Sequence, residues 1–218
     1  MTTNSREFLK GILEQIAQLD YIKPDDLPNI DLYMDQVTTF MEEQLASTKR
    51  YPDDKILTKT MINNYAKNKL LPPPEKKRYS KEHLLMMLFI YYFKNILSIG
   101  DIKTLMGPIT EKYFNAAPGQ DLTYIYNEVF SMEKNRIMTL QKDLLKSWQV
   151  SEGTFSDADP QDQEFLQKFS FICQLSFDVY LKKMIIEHMI DEIAPPTENK
   201  KVKKEKAKKA SPQENGQS

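Results

Sequence analysis

The sequence predicts an all-α fold, and three observations support this prediction. Apolar residues recur at three- and four-residue spacing through most of the chain, which is the period of a helix. The 218 residues include only six glycines, whereas the good helix formers Lys, Glu, Leu and Met are abundant. Alternating apolar and polar runs, which would indicate strands, are few. A hydrophobic content of 40% is sufficient for a buried core.

Two helices are predicted before residue 50. Residues 5–19 carry an amphipathic stripe of Phe8, Ile12, Ile16 and Leu19. Prolines at positions 24 and 28 predict an extended connector, so that residues 1–28 form a leading helix and linker. Asp31 is placed to cap the second helix. Its apolar stripe consists of Leu32, Val37, Phe40, Met41 and Leu45.

The chain is organised around residues 56–106. Residues 58–68 are predicted to form a helix, which the three consecutive prolines at 72–74 separate from the next one. Ser80 is placed to cap the following helix, over residues 80–97, which is the most apolar of the chain. Ser98 and Asp101 have the spacing of a capping box, and the short helix that they open is expected to end at Gly107-Pro108.

Positive charge is concentrated in this region. Residues 55–82 contain eight Lys or Arg and two Glu, a net charge of +6, in a chain whose formal net charge is −1. Cations neutralise phosphates, and amide, guanidinium and ammonium groups reach base edges in the major groove. The candidate DNA-binding residues are Thr58, Lys59, Asn63, Asn64, Lys67, Lys69, Lys76, Lys77, Arg78 and Tyr79.

The motifs MINNYAKNKLLPP, RY and SKEHLLMMLFIYYFKNILSIGDIKTL resemble the winged helix-turn-helix of MerR-type proteins. The resemblance implies a recognition helix, a wing closed by Arg78 and Tyr79, and a short helix that begins at Ser98. Asn63 stands where that family has a phosphate-contacting arginine, and Lys69 stands where it has a glycine. Residues 29–106 also resemble an uncharacterised bacterial family, the domain of unknown function 1836. We therefore expect a winged helix-turn-helix domain at 29–107.

The remaining chain predicts a long-helix hairpin and a basic tail. One long helix is expected from residue 121 to about 149, and another from about 161 to 193, so that residues 119–193 form an antiparallel pair. Residues 194–218 are polar, carry seven lysines and three glutamates, and are expected to be disordered. Two interpretations of this tail remain open: a solubilising end, or a basic segment that attracts a polyanion.

Catalytic and metal-binding interpretations have little support in the sequence. His83 and His188 have no metal-ligand spacing, and His83 is expected at the surface. Cys173 is expected to be a small buried apolar group, and as the only cysteine it allows no intramolecular disulfide. We expect neither enzymatic activity nor a cofactor. The start of the chain lacks a signal-peptide pattern, and the longest apolar run, ten residues at 84–93, is too short to span a bilayer. A cytoplasmic protein is expected.

Two functions remain open from the sequence. The first is a transcriptional regulator that binds double-stranded DNA as a homodimer. The stripe Leu122, Val129, Leu140 and Leu144 is the candidate dimer interface, although an intrachain hairpin with residues 161–193 could bury it instead. The second is a helical adaptor that keeps the fold without reading bases. A small-molecule effector is compatible with Met86, Met87, Tyr91 and Tyr92, but core packing explains these residues as simply.

Overall fold

The computed structural model describes residues 3–17 and 21–194, which form eight α-helices and one small antiparallel sheet. The helices are α1 Thr3–Ala17, α2 Met34–Gln44, α3 Lys59–Lys67, α4 Lys81–Phe93, α5 Ile99–Tyr113, α6 Leu122–Phe130, α7 Glu133–Glu152 and α8 Pro160–Ile193. The strands are β1 Leu32–Tyr33 and β2 Arg78–Tyr79. Leu32 lies opposite Tyr79, and Tyr33 lies opposite Arg78. The all-α prediction is confirmed, with this short ladder as an addition.

The start of α2 differs from the prediction. Asp31 does not cap the helix; Tyr33 is the residue that precedes its first turn. The Tyr33 amide donates to Oε1 of Gln36 at 2.9 Å. Residues 32–33 are extended because their backbone pairs with β2, and this pairing delays the start of the helix. A helical pattern in the sequence gave no indication of the pairing.

Helix α4 is the centre of the main core, as the sequence predicted. Every residue from His83 to Tyr91 is buried. Met86, Met87 and Ile90 of this helix are fully buried. Helices α2, α3, α5 and α6 supply the surrounding side chains, so α4 is covered on all sides and needs no polar face. Ser80 precedes the first turn as expected.

Helix α5 is longer than predicted. Its opening is the expected capping box: the Asp101 amide donates to the Ser98 hydroxyl at 3.1 Å, and the Ser98 amide donates to Oδ2 of Asp101 at 3.2 Å. The helix does not end at Gly107-Pro108 but continues to Tyr113. Burial of Ile102 and Met106 anchors the segment before Pro108. The proline removes one backbone hydrogen bond without ending the helix.

The single helix predicted for residues 121–149 is interrupted at Ser131 and Met132, where α6 ends and α7 begins. The two helices pack against different parts of the molecule. Leu122 and Tyr126 of α6 are buried in the core around α4, whereas Leu144 and Trp148 of α7 form a second cluster with α1 and α8. One straight helix directs a single stripe to a single side, so the break allows both halves to be packed.

Helices α7 and α8 form the predicted hairpin, but its apolar surface is only partly covered. Phe171 packs edge-on against Trp148, with ring centroids 5.1 Å apart. The α8 residues Phe165, Phe169 and Ile172 are exposed.

No helix in the described ranges is long and apolar enough to cross a membrane. Two expectations fall elsewhere: the end of the first predicted helix, at residues 18–19, and the disordered tail from residue 195 onward lie outside the described residues.

Candidate nucleic-acid interface

Helix α3 has one buried side and one exposed polar side. Thr58 precedes its first turn and accepts a hydrogen bond from the Met61 amide at 3.2 Å, so residues 58–68 form the predicted helix with its two caps. Ile62 and Tyr65 are buried beneath it. The opposite face carries the four predicted contact residues, all exposed: Lys59, Asn63, Asn64 and Lys67. The sequence therefore predicted the orientation of this helix correctly.

The end of α3 places Lys69 in a left-handed conformation, with φ of 59°. The Lys69 amide donates to the Ala66 carbonyl at 3.0 Å, and the Leu70 amide donates to the Tyr65 carbonyl at 2.9 Å. These two bonds define a Schellman motif, whose left-handed position usually holds glycine. A residue with a Cβ is disfavoured there by about 1–2 kcal/mol. Burial of Leu70 holds the chain in this conformation and leaves Lys69 exposed.

The basic loop is a tight turn with a defined shape. Lys76 and Lys77 are both left-handed, with φ of 48° and 65°. The Arg78 amide donates to the Glu75 carbonyl at 2.8 Å and closes the turn. Two consecutive left-handed residues characterise the type I′ turn of β-hairpins, which favours Asn-Gly over Lys-Lys. Three lysines of the basic region, at 69, 76 and 77, thus occupy positions that favour glycine or asparagine.

Arg78 is held in place by the neighbouring strand. Its guanidinium lies over the Tyr33 ring, 5.1 Å from the centroid. Nε and Nη2 donate to the Tyr33 hydroxyl at 3.2 and 3.1 Å. The hydrogen bond to Tyr33 raises the pKa of Arg78, so the side chain remains a cation. Because Tyr33 is half exposed and precedes α2, it fixes the basic turn relative to that helix.

The interior side of the turn is formed by Tyr79 and His83. Tyr79 is buried, and burial raises the pKa of its hydroxyl; its ring packs edge-on against His83, with centroids 5.6 Å apart. The surface position expected for His83 is wrong, because it is only 5% exposed. Its Nδ1 accepts from the Ser80 amide at 3.1 Å, and its ring contacts Phe114. Burial lowers the pKa of His83, and the carbonyls of Pro73 and Pro72 offset this only in part.

Acidic residues adjoin the basic face. Between Lys23 and Lys49 the sequence has six Asp or Glu and no basic residue. Asp35 of α2 forms an ion pair with Lys59. By contrast, Lys67, Lys69, Lys76 and Lys77 form no ion pair with any described residue. A groove of about 380 Å³ also follows α2. It is lined by Pro28, Leu32, Asp35, Gln36, Thr39, Phe40 and Glu43.

The structure places the other candidate residues from the sequence either in the core or at the surface. Met86 and Met87 are core residues, and Tyr91 is buried as well, so the described packing explains them. Cys173 was expected to be buried and is instead exposed on α8, on a side that the hairpin does not cover. Within residues 3–17 and 21–194, no group of three or more His, Cys, Asp or Glu is placed to hold a metal ion.

Two contributors to the site were missed from the sequence, Tyr33 and His83. Tyr33 was assigned to a helix, and its role depends on a strand pairing across 45 positions. His83 did carry a signal: it stands three residues after a capping serine, where a side-chain acceptor completes a capping box. A histidine is a less familiar acceptor there than Glu or Gln.

These features define a compact helical domain with one exposed basic face. Residues 22–129 match the model of a family described as Domain of unknown function (DUF1836). The match begins before β1 and ends one residue before the end of α6, so it includes the whole basic face. It supports the assignment of this part of the chain to that family. No curated protein and no solved structure was found to match the chain.

Proposed function

We propose that the basic face binds double-stranded DNA, with α3 in the major groove and the turn at residues 75–78 on the adjacent backbone. The observation that carries this proposal is a set of lysines that form no ion pair with a described residue and that the backbone holds in fixed positions. Lys69 and the Lys76-Lys77 pair are held in left-handed backbone positions that a lysine does not prefer. Residues held in unfavourable conformations cluster at functional sites, because the surrounding structure maintains them at a cost in stability.

The chemistry of the face suits both parts of a DNA complex. An α-helix such as α3 is about 10–12 Å across with its side chains, and the major groove is about 12 Å wide. Asn63 and Asn64 are exposed amides, and an amide pairs with the N6 and N7 edge of adenine. Lys67, Lys69 and the turn lysines would neutralise phosphates, which contributes affinity without sequence information.

The order of elements also supports a MerR-like winged helix-turn-helix. A short strand leads into α2, α3 follows after a connection, and a two-residue turn leads back to a strand that pairs with the first. The buried Tyr79 acts from beneath the turn rather than by contact with the ligand. Arg78 remains the exposed member of the pair that the resemblance assigned to the wing. We therefore propose that the protein is a non-enzymatic transcriptional regulator.

The second candidate is an adaptor that binds another protein through the groove along α2. Its lining includes the apolar residues Pro28, Leu32 and Phe40 and the acidic residues Asp35 and Glu43. A lining that combines apolar and acidic side chains fits a peptide that carries apolar and basic residues. The ion pair between Asp35 and Lys59 reduces the free positive charge on α3. This reduction favours the adaptor function over DNA binding.

Selection from a random duplex pool tests the proposal. The full chain should enrich a defined sequence, and Asn64→Ala with Lys67→Ala should reduce its preference for that sequence over random duplex by tenfold or more, since each base contact contributes about 1–3 kcal/mol. Lys103→Ala, an exposed lysine on α5, is the matched control and should keep the preference. Failure of the full chain to retain any duplex would favour the adaptor.

A further inference from the structure

Thr60 lies on the outermost line of α3, although the contact residues predicted from the sequence did not include it. Successive residues of an α-helix are about 100° apart around the helix axis. Ile62 and Tyr65 are the buried residues of α3. Thr60 is roughly 140–160° around the axis from both of them, so it lies on the side opposite the core. Its side chain is exposed.

Lys67 is on the same line. It follows Thr60 by two helical turns and lies at the same angular distance from the buried pair. Asn63 and Asn64 flank this line, one on each side, because each is roughly 100° from the nearer buried residue. Thr60 and Lys67 are about 10 Å apart along the helix axis, which corresponds to about three base-pair steps of DNA. These two residues would therefore reach deepest into a groove that α3 enters.

The described structure does not use the side chain of Thr60. The residue that caps α3 is Thr58, whose hydroxyl accepts from the Met61 amide. The hydroxyl of Thr60 forms no hydrogen bond with a described residue. The carbonyl four residues earlier, that of Ile56, instead accepts from Nζ of Lys94 at 2.7 Å. Thr60 is thus available to a ligand of this face.

Thr60 also differs in chemistry from the rest of the exposed side of α3. The exposed residues of this helix are Lys59, Thr60, Asn63, Asn64 and Lys67. The lysines offer ammonium groups and the asparagines offer amides, whereas only Thr60 carries a methyl group. A side chain of this kind suits an apolar feature of the ligand, in contrast to the polar base edges and phosphates that its neighbours suit.

We propose that Thr60 recognises a thymine through contact between its Cγ2 methyl group and the C5-methyl group of that base. This inference rests on the proposed function, because it requires α3 to lie in the major groove. Thymine is the only standard base with a methyl group at the major-groove edge, and the methyl group of threonine is among those that contact it. The contact would make Thr60 a specificity-determining residue of the interface.

Replacement of thymine by uracil in the selected duplex tests this contact. Uracil pairs as thymine does but lacks the C5-methyl group. When each thymine is replaced in turn, the full chain should lose about fourfold in affinity at the thymine that faces Thr60, as for one buried methyl group. Thr60→Ser lacks the methyl group and should bind both duplexes equally. Thr60→Val keeps a methyl group without the hydroxyl and should keep the fourfold preference.

Thr139→Ser is the matched control. Thr139 is an exposed threonine of α7, away from the basic face, so this variant should keep the preference of the parent chain. Each variant is compared on the same two duplexes, so any effect of uracil on the DNA itself cancels. Equal binding of all the uracil duplexes by the parent chain, or a thymine preference that survives in Thr60→Ser, would overturn the inference and leave duplex binding intact. A full chain that retains no duplex would overturn the proposed function and this inference together, so the two failures are distinguishable.

Discussion

At the residue scale, His83 shows how one side chain joins four parts of the fold. It accepts the Ser80 amide at the start of α4, packs between Tyr79 and Phe114, and lies close to the carbonyls of the proline run. Its acceptor role requires an unprotonated Nδ1, and its burial opposes a positive charge. The geometry of the basic turn is therefore coupled to the neutral state of this imidazole.

A pH dependence of stability follows from His83. Its folded-state pKa is below the unfolded value of about 6.5, so the unfolded chain binds more protons as the pH falls. This contribution to the free energy of unfolding is complete above about pH 6.5 and is lost as the pH falls below it, by about 1.4 kcal/mol for each unit of depression. Urea unfolding at pH 7.5 and 5.5 should show the loss.

His83→Gln is the variant that isolates this effect. Glutamine at the third helical position can accept the Ser80 amide, as in an ordinary capping box, but it does not titrate in this range. The difference in stability between the two pH values should therefore shrink in His83→Gln. His188→Gln, which changes an exposed histidine, should behave as the parent chain does. An unchanged pH dependence in His83→Gln would assign the effect to other groups.

At the element scale, the end of α3 is a position where folding and DNA binding would favour different residues. The Schellman motif at residues 65–70 is complete, yet its left-handed position holds a lysine instead of the usual glycine. If this residue served only to end the helix, glycine would adopt the left-handed conformation at a lower cost in free energy. The lysine in this left-handed position is one of the observations on which the proposed DNA contact rests.

Lys69→Gly should stabilise the protein and weaken duplex binding. Relief of the left-handed strain is expected to raise the free energy of unfolding by about 1 kcal/mol, measured by urea denaturation. Loss of one phosphate contact should flatten the plot of log affinity against log salt by about one unit. Lys69→Ala is the control, since it removes the charge and keeps the strain: binding should weaken equally, without the gain in stability. Binding by Lys69→Gly equal to that of the parent would remove Lys69 from the site.

At the scale of the whole molecule, the sequence predicted well what depends on local pattern. It predicted the helical class, the orientation of α3, the burial of α4 and the capping box of Ser98 and Asp101, because periodicity and caps are local signals. It did not predict what depends on distant partners. The Tyr33–Arg78 contact, the burial of His83 and the break between α6 and α7 are set by the packing of remote segments.

Charge is also segregated on this scale. The α2 side is acidic, and the α3 and turn side is basic. The overall net charge of −1 conceals this division. A local positive field attracts a polyanion even when the whole chain is slightly negative, and the acidic side disfavours binding in other orientations. The central claim is therefore that the ordered basic turn, rather than average charge, determines affinity for duplex DNA.

The salt dependence of duplex binding tests this claim most directly, with the full chain, Lys77→Ala with Arg78→Ala, and a chain lacking residues 200–218. The double variant, confirmed to be folded by circular dichroism, should show a plot of log affinity against log salt flatter by about two units. It should also bind its selected sequence more weakly than the shortened chain does at the same salt concentration. The shortened chain should lose affinity equally for selected and random duplexes. Binding by the double variant that equals that of the parent at every salt concentration would contradict the account.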